Sequence, residues 1–371
     1  MEDLVGFDLF GGIYRDKTVL VTGHTGFKGS WLCLWLEKMG AKVVGYSLEA
    51  PTQPNHFELL RPKITSIIGD IRDSEKLDTV FQKYRPEIVF HLAAQALVRP
   101  SYEDPVATYE TNVLGTLKVF EAARKAYVKA IVNITSDKAY ENNECNHGYQ
   151  EGDPLGGYDP YSSSKGCAEL LTASYRNSYF HPKEYKKTHN TLLASCRAGN
   201  VIGGGDWARD RLITDIMVSV SQHKKVHIRN PYAIRPWQHV LEPLSGYMLL
   251  GQKLLEKRTE FASAWNFGPT QESVVTVEDV VKKVKQYWDK IEYVIDQKAD
   301  QPHEAQLLNL DCTKANRMLQ WESVWSSEKT FEKTVEWYKT YYEKSGTLDT
   351  IKDLQSYVSD AKVKGLAWTK C

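Results

Sequence analysis

The segment "KTVLVTGHTGFKGSWLCLWLEKMG" (17–40) constrains the fold of this chain more than any other. "KTVLVTG" is a short, branched apolar run that ends in glycine, as a buried strand does. "GSWLCLWLEKMG" follows with helical spacing and stops at Gly40. Between them, Gly23, Gly26 and Gly29 form GxxGxxG. Each glycine has a physical task there: a tight turn, close approach of backbone to a pyrophosphate, and close packing of helix on strand. The first turn of the helix offers unpaired N–H groups and the positive end of its dipole to phosphate. The loop residues Gly23, His24, Thr25, Gly26, Phe27 and Gly29 are therefore expected to hold a dinucleotide.

The pattern continues in the same style. "AKVVGYSL" (41–48), "ITSIIGDIRD" (64–73), "PEIVFHLAAQ" (86–95), "KAIVNIT" (129–135) and the start of "TLLASCRAGNVIG" (191–203) read as further strands. "SEKLDTVFQKY" reads as a helix with Ser74 as its N-cap. Asp-Pro opens two long helices, 104–126 and 159–180. Strand–helix alternation over some 200 residues predicts an α/β, doubly wound parallel sheet of Rossmann type. A smaller, mostly C-terminal substrate domain is expected to follow, and 330–344 reads as a terminal amphipathic helix.

At the adenosine end, the carboxylate that usually closes the second strand is replaced by Ser47. No arginine lies between Ser47 and Leu60, so NAD fits better than NADP. Asp70 and Ile71, at the end of the third strand, are placed to flank an adenine, although Asp70 suits a turn as well.

The fifth strand ends in Thr135-Ser136-Asp137-Lys138. On the helix that follows, "YSSSK" puts Tyr161 and Lys165 at i and i+4, on one face. Both places reach the C-terminal edge of a parallel sheet, where ligands bind. A nearby ammonium and a positive nicotinamide would lower the pKa of the phenol toward neutrality. A solvated surface pair is the plain alternative for Asp137 and Lys138.

Composition excludes other classes. Lys+Arg and Asp+Glu are both 47, so the net charge is zero, with no broad basic footprint for nucleic acid or anionic lipid. The six cysteines are scattered without metal-like spacing, so reduced thiols, a cytoplasmic setting and no metal are expected. The first residues lack a basic n-region, and no apolar run approaches a membrane span.

Together, "VTGHTGFKGSWL", "GDIRD", "VFHLAAQALV", "TNVLGT", "TSDKAY" and "YSSSK" resemble the extended short-chain dehydrogenase/reductases that act on nucleotide sugars. "GYSLEAPTQPNHFELL", "CRAGNVIGGGDWARDRL" and "RNPYAIRPWQHVLEPLSGY" look like the CDP-glucose 4,6-dehydratases among them. The resemblance covers about residues 12 to 340. It implies NAD as cofactor, with Leu92, Ala93, Ala94 and Thr135 added to its contacts, and CDP-glucose as substrate. It implies catalytic roles for Ser136, Asp137, Tyr161 and Lys165. Where dTDP- and GDP-sugar relatives carry Glu after the aspartate, this chain has Lys138. That amine could take a proton only if neutral, which needs burial or nearby positive charge.

The resemblance also places Asn200, Arg211, Arg235, His303 and Glu304 at the substrate; Trp207 and Trp237 suit either a base or the core. The implied domains are 12–196 for the cofactor, with a returning segment about 236–268, and 197–235 plus 269–345 for the nucleotide sugar. Residues 346–371 read as a polar extension. Helices 104–126 and 159–180 are expected to form a four-helix interface in a homodimer or homotetramer. Alternatives of the same fold are a GDP- or dTDP-sugar dehydratase, or a 4-epimerase, which needs no ionisable pair at 137–138. A dinucleotide-sensing regulator should lack the Tyr–Lys pair.

Overall fold

The computed structural model describes residues 8–143, 148–228, 230–269, 274–295 and 308–370, leaving aside the side chains of Arg235 and Val274. Its centre is a sheet of seven parallel strands. In chain order the first six are β1 (Thr18–Thr22), β2 (Lys42–Ser47), β3 (Thr65–Ile68), β4 (Ile88–His91), β5 (Ala130–Ile134) and β6 (Leu192–Ala198). The seventh is Ala264–Phe267. Across the sheet the order is Ala264–Phe267, β6, β5, β4, β1, β2, β3. The winding reverses between β1 and β4, the crevice where doubly wound folds bind ligands.

Burial on both faces explains the branched, continuous apolar strands. Val19, Val21, Ile88 and Phe90 join one core with Trp31, Trp35, Leu244 and Tyr247. Leu20 and Val89 point the other way and join Phe81, Phe120 and Tyr175. Helix α1 (Phe27–Lys38) and helix Leu241–Leu255 cover the first face. Helices Ser74–Tyr84, Thr116–Lys125 and Pro160–Ser178 cover the second. A separate core, with Trp207, Met217, Trp237, Trp288, Phe331 and Trp337, joins the elements after β6. The two tryptophans read as suiting a base or the core are thus core residues.

Local signals set most element ends. Asp104 and Asp159 cap their helices, accepting from the N–H groups of Ala107 and Ser162 at 2.9 Å, with Pro105 and Pro160 next in line. The cap before Ser74 is Asp73, not Ser74: its carboxylate accepts from Lys76 N at 3.0 Å. The third strand stops at Ile68: Gly69 N still donates to Ser47 O at 2.7 Å, but Asp70 turns away to pair with Arg72. Between Pro105 and Lys125 the helix widens into a π-type turn at Glu110–Gly115.

The stretch expected to be a polar extension is packed. Helix Thr350–Val363 buries Leu354, Tyr357, Val358 and Ala361. Trp368 stacks on Phe10 at 5.3 Å between ring centres and meets Trp35 edge-on at 5.7 Å. The buried Glu242 carboxylate accepts from Val324 N, Trp325 N and Tyr357 OH, each at 2.8 Å, and fastens this tail to helix Leu241–Leu255.

Candidate active site

The glycine loop joins β1 to α1. Gly23 has φ +75°, and a Cβ there would stand 2.8 Å from Ala93 N. A Cβ at Gly29 would stand 2.1 Å from Gly23 O, so only glycine lets α1 begin this close to the turn. Over Gly26 the space is open: a Cβ would meet only Gly23 O within 4 Å. This open cradle, above the first turn of a helix, fits a pyrophosphate.

β4 closes the cradle. Thr22 Oγ1 accepts from Leu92 N at 3.1 Å and Ala93 N at 3.2 Å, and Leu92, Ala93 and Ala94 are half-buried. Thr25 and Ser47 share a hydrogen bond of 2.8 Å, which ties the loop to the end of β2. His24 turns toward the sheet. Its Nε2 pairs with Ser66 Oγ at 2.7 Å, its ring lies over Gly45, and burial lowers its pKa to about 4, so it is neutral near pH 7. Asp70 is held by Arg72 through the guanidinium at 2.7 and 2.9 Å and the N–H at 2.8 Å, which lowers its pKa. These bonds fit the turn reading of Asp70. Ile71 is buried and packs against Gly115.

After β5 the chain makes one tight turn, Asp137–Ala139, capped by Ser136. Ser136 Oγ accepts from Lys138 N at 3.2 Å and donates to Asp137 Oδ1 at 3.0 Å, and the hydroxyl lies near enough to the Tyr161 phenol to bear on its proton. Ser136, Asp137, Tyr161 and Lys165 are all buried. The tyrosine helix comes this near because Gly166 faces the chain: a Cβ there would stand 2.5 Å from Gly156 O and 3.3 Å from Ala139 O. Asn112, inside the π-type turn, donates to Ser164 Oγ at 2.8 Å and to Gln95 O at 3.0 Å, linking the two helices beside the site. Wide turns of this kind often mark functional places.

Electrostatics follow from burial. The Asp137 carboxyl is raised by desolvation, against the pull of Lys138, Ser136 and Lys28. The Lys165 amine is lowered to about 8 by burial and by the charge of Lys28. The Tyr161 phenol, expected to approach neutrality, is pushed up to about 12 by burial, while the Ser136 hydrogen bond and the Arg211 charge work against that rise.

Beneath these groups lies a network that pattern reading missed. Glu169, one turn beyond Lys165, accepts from Arg197 Nη2 and Ser195 Oγ at 2.8 Å and from the Thr135 hydroxyl. Thr135 thus has its hydroxyl committed below the pocket. The Glu169–Arg197 pair is almost fully buried, with side-chain exposures of 2% and 3%. The i, i+4, i+8 series Tyr161, Lys165, Glu169 is the signal that could have found it.

Asn200 is half-buried after β6, with no side-chain hydrogen bond among the described residues. Its neighbour Gly199 abuts the acid: a Cβ there would stand 2.8 Å from Asp137 Oδ2. Arg211 pairs with Asp206 at 2.6 Å, and its charge reaches Tyr161 and Lys28. The backbone of Arg235 lies in the short strand Ile234–Pro236, but its side chain is outside the description. His303 and Glu304 lie outside the described residues. Among the described residues no His/Cys/Asp/Glu group could hold a metal ion, and no helix is long and apolar enough to cross a membrane.

The comparisons with known proteins agree with this arrangement. The family profile described as GDP-mannose 4,6 dehydratase matches residues 20–334. A CDP-glucose 4,6-dehydratase of Salmonella typhimurium is 54% identical over 332 residues, spanning 88% of this chain and 92% of that one. A dTDP-glucose 4,6-dehydratase of the same organism is 26% identical, spanning 86% and 92%. Among solved structures, an epimerase from Methanothermobacter thermautotrophicus superposes with TM-score 0.78 at 26% identity, covering 91% of this chain and 96% of that one. A dTDP-glucose 4,6-dehydratase from Bacillus anthracis, solved with NAD, shares the fold at TM-score 0.72 and 22% identity, covering 88% and 98%. The chain therefore belongs to the GDP-mannose 4,6 dehydratase family, within the extended short-chain dehydrogenase/reductases.

Proposed function

We propose that this chain is an NAD-dependent hydro-lyase that converts CDP-glucose to CDP-4-keto-6-deoxyglucose and water. The observation that carries the reading is the meeting of Tyr161 with the hydrogen-bonded pair Ser136–Asp137, all three buried, at the edge of a dinucleotide fold. The 54% identity to a CDP-glucose 4,6-dehydratase supports the choice of nucleotide.

NAD, if held in this cradle, would supply the hydride chemistry between carbon 4 and carbon 6 of the sugar. The chain's own groups move the protons. Tyr161, beside Ser136, takes the proton of the 4-hydroxyl. The resulting 4-ketone acidifies the carbon-5 proton, which Lys138 removes and gives back to carbon 5 once water has left and carbon 6 has taken the hydride. Asp137, held toward its protonated form by burial, donates to the departing 6-hydroxyl. An epimerase has no use for this second acid and base.

Glycine loop residues 23–29, Ser47, Leu92 to Ala94 and Lys165 hold the cofactor in this reading. Asn200, Arg211 and Arg235 grip the nucleotide sugar, Arg235 by the two-bond fit of guanidinium to phosphate, and His303 and Glu304 close over it. Residues 12–196 with 236–268 form the cofactor domain, and 197–235 with 269–345 the sugar domain. The exposed Tyr102, Val106 and Leu114, with Leu170 and Tyr179 on the neighbouring helix, supply the apolar faces of a four-helix contact between subunits. The unpaired thiols Cys33, Cys167, Cys196 and Cys312 suit a reducing cytoplasm.

Turnover of CDP-, GDP-, UDP- and dTDP-glucose, with and without added NAD+, tests the reading through the 4-keto product. Product from CDP-glucose is expected to dominate. Inversion at carbon 4 without water loss would establish the epimerase instead. Changing Lys138→Met is expected to slow product formation by about 10²-fold, while reduced cofactor still forms on substrate addition. Loss of that reduction signal together with product would remove Lys138 from the elimination step.

A further inference from the structure

Two polar side chains buried under the site each keep an atom without a partner. Tyr247, on the Leu241–Leu255 helix beneath β5 and β6, is fully buried. Its hydroxyl makes no hydrogen bond among the described residues. Gln238, on the short strand Gln238–His239, is 1% exposed. Its amide nitrogen donates to Phe267 O at 3.1 Å, which fixes the amide's orientation and leaves Oε1 without a partner among the described residues. Both side chains pack on that same phenylalanine: the Tyr247 ring meets the Phe267 ring edge-on, 5.8 Å between centres. Phe267 stands abreast of Ala198 of β6. The next residue, Gly199, abuts Asp137 Oδ2, and Gln238 N donates to Asn200 O at 3.4 Å. Tyr247 is also near enough to feel the charge of Asp137. A phenylalanine and a leucine would fill the same space without burying unpaired polar atoms. One donor and one acceptor on facing walls are the lining of an internal water site.

We propose that Tyr247 and Gln238 hold one internal water against Asp137, and that this water positions the carboxyl as the acid of the elimination. This rests on the reading of the site as a dehydratase. Tyr247 donates to the water, whose own hydrogens face Gln238 Oε1 and Asp137 Oδ2. Burial pushes the Tyr247 phenol far up, so it stays a donor at neutral pH. In the elimination Lys138 takes the carbon-5 proton. The freed electron pair forms the double bond between carbons 5 and 6, the bond from carbon 6 to oxygen breaks, and the departing oxygen takes the Asp137 proton. The carboxylate left behind accepts from the Ser136 hydroxyl on Oδ1 and from the water on Oδ2. Tyr247 and Gln238 are positioning residues, because they act only through Asp137. The other groups facing Asp137 are Ser136 and Lys138 on its own turn, Lys28 on α1 and Tyr161 on the Pro160–Ser178 helix. Cys196 of β6 faces Tyr247 with its thiol raised by burial, and Arg211 faces Tyr161.

Single turnover of CDP-glucose by the full chain with NAD+, followed across pH, tests this. In Tyr247→Phe the rate of 4-keto product formation is expected to fall about tenfold, the loss of one hydrogen bond to a charged group. Reduced cofactor is expected to form at the native rate, because the oxidation does not use Asp137. The alkaline limb of the product rate, where Asp137 loses its proton, is expected to move up by about one pH unit, since a donor to the carboxylate is gone. Gln238→Leu is expected to move the limb in the same direction, and it provides the comparison if Tyr247→Phe does not yield folded protein. A limb that stays in place overturns the proposal, whether the rate is native or reduced; a reduced rate would then reflect packing alone. Slowed formation of reduced cofactor overturns it too, by placing the effect on Tyr161. If the native chain makes no 4-keto product from any of the four nucleotide sugars, the dehydratase reading fails first and this proposal with it. Native product formation with an unmoved limb in both variants sinks this inference alone.

Discussion

Tyr161→Phe is expected to lower turnover by about 10²–10⁴-fold, toward the upper end of what one placed acid–base group contributes. The change removes a single oxygen and keeps the ring in its buried place at the start of the Pro160–Ser178 helix. Nothing else in the site can take the 4-hydroxyl proton from the same position. Ser136 is hydrogen-bonded to Asp137, and the Asp137 carboxyl is raised by burial. Burial also pushes the phenol up to about 12, so the free protein keeps Tyr161 protonated at neutral pH. The base is made in the liganded site, where added positive charge and the Ser136 hydrogen bond favour the phenolate. Cofactor affinity is expected to change little. The 4-keto product assay, run beside a cofactor titration, checks both; near-native turnover would show that the oxidation uses another base.

Glu169→Ala is expected to lower the unfolding free energy by about 3–5 kcal/mol, because it strands a buried guanidinium. Arg197 keeps one other anchor, the Glu151 carbonyl at 3.1 Å, and its guanidinium lies 4.7 Å from the centre of the Tyr140 ring. Neither neutralises the charge. Burial alone would raise the Glu169 carboxyl, yet Arg197 and the Thr135 and Ser195 hydroxyls bring it below its ordinary value. Denaturant titration measures the loss. The double change Glu169→Leu with Arg197→Met removes both charges, and it is expected to recover a large part of the stability. A double variant no more stable than Glu169→Ala would place the loss in packing and not in the unpaired charge. Lys165 lies one turn from Glu169 and feels its charge, so the single variant also tests how far the lysine depends on that support.

What was legible in the sequence was what depends on near neighbours. The continuous apolar runs of β1 and β4, the Asp-Pro helix starts and the spacing of Gly23, Gly26 and Gly29 are written within a few residues of where they act. So is the Tyr161–Lys165 pair, whose place beside Ser136 follows from the strand–helix order. The remainder is set by distant contacts. The widening at Glu110–Gly115 accompanies Asn112 reaching Ser164 and Gln95, which are far off in sequence. The Glu169–Arg197 pair joins a helix to a strand; the local series Tyr161, Lys165, Glu169 points to the glutamate but not to its partner. Asp73 displaced Ser74 as cap because both are good caps and the backbone decides between adjacent residues. Lys28 was in plain view inside the glycine loop, but its surroundings come from β5 and β6. The tail reads as a polar extension because its apolar residues, Leu354, Tyr357, Val358 and Trp368, are spread among charges.

Helix α1 is gripped from behind by Trp368, whose ring also lies on Phe10. The cradle for the dinucleotide is thus completed by a residue more than three hundred positions later in the chain. A ribosome delivers these parts more than three hundred residues apart. A nascent chain can pair its first strands early, but the rigid floor under α1 waits until Trp368 has been made and packed.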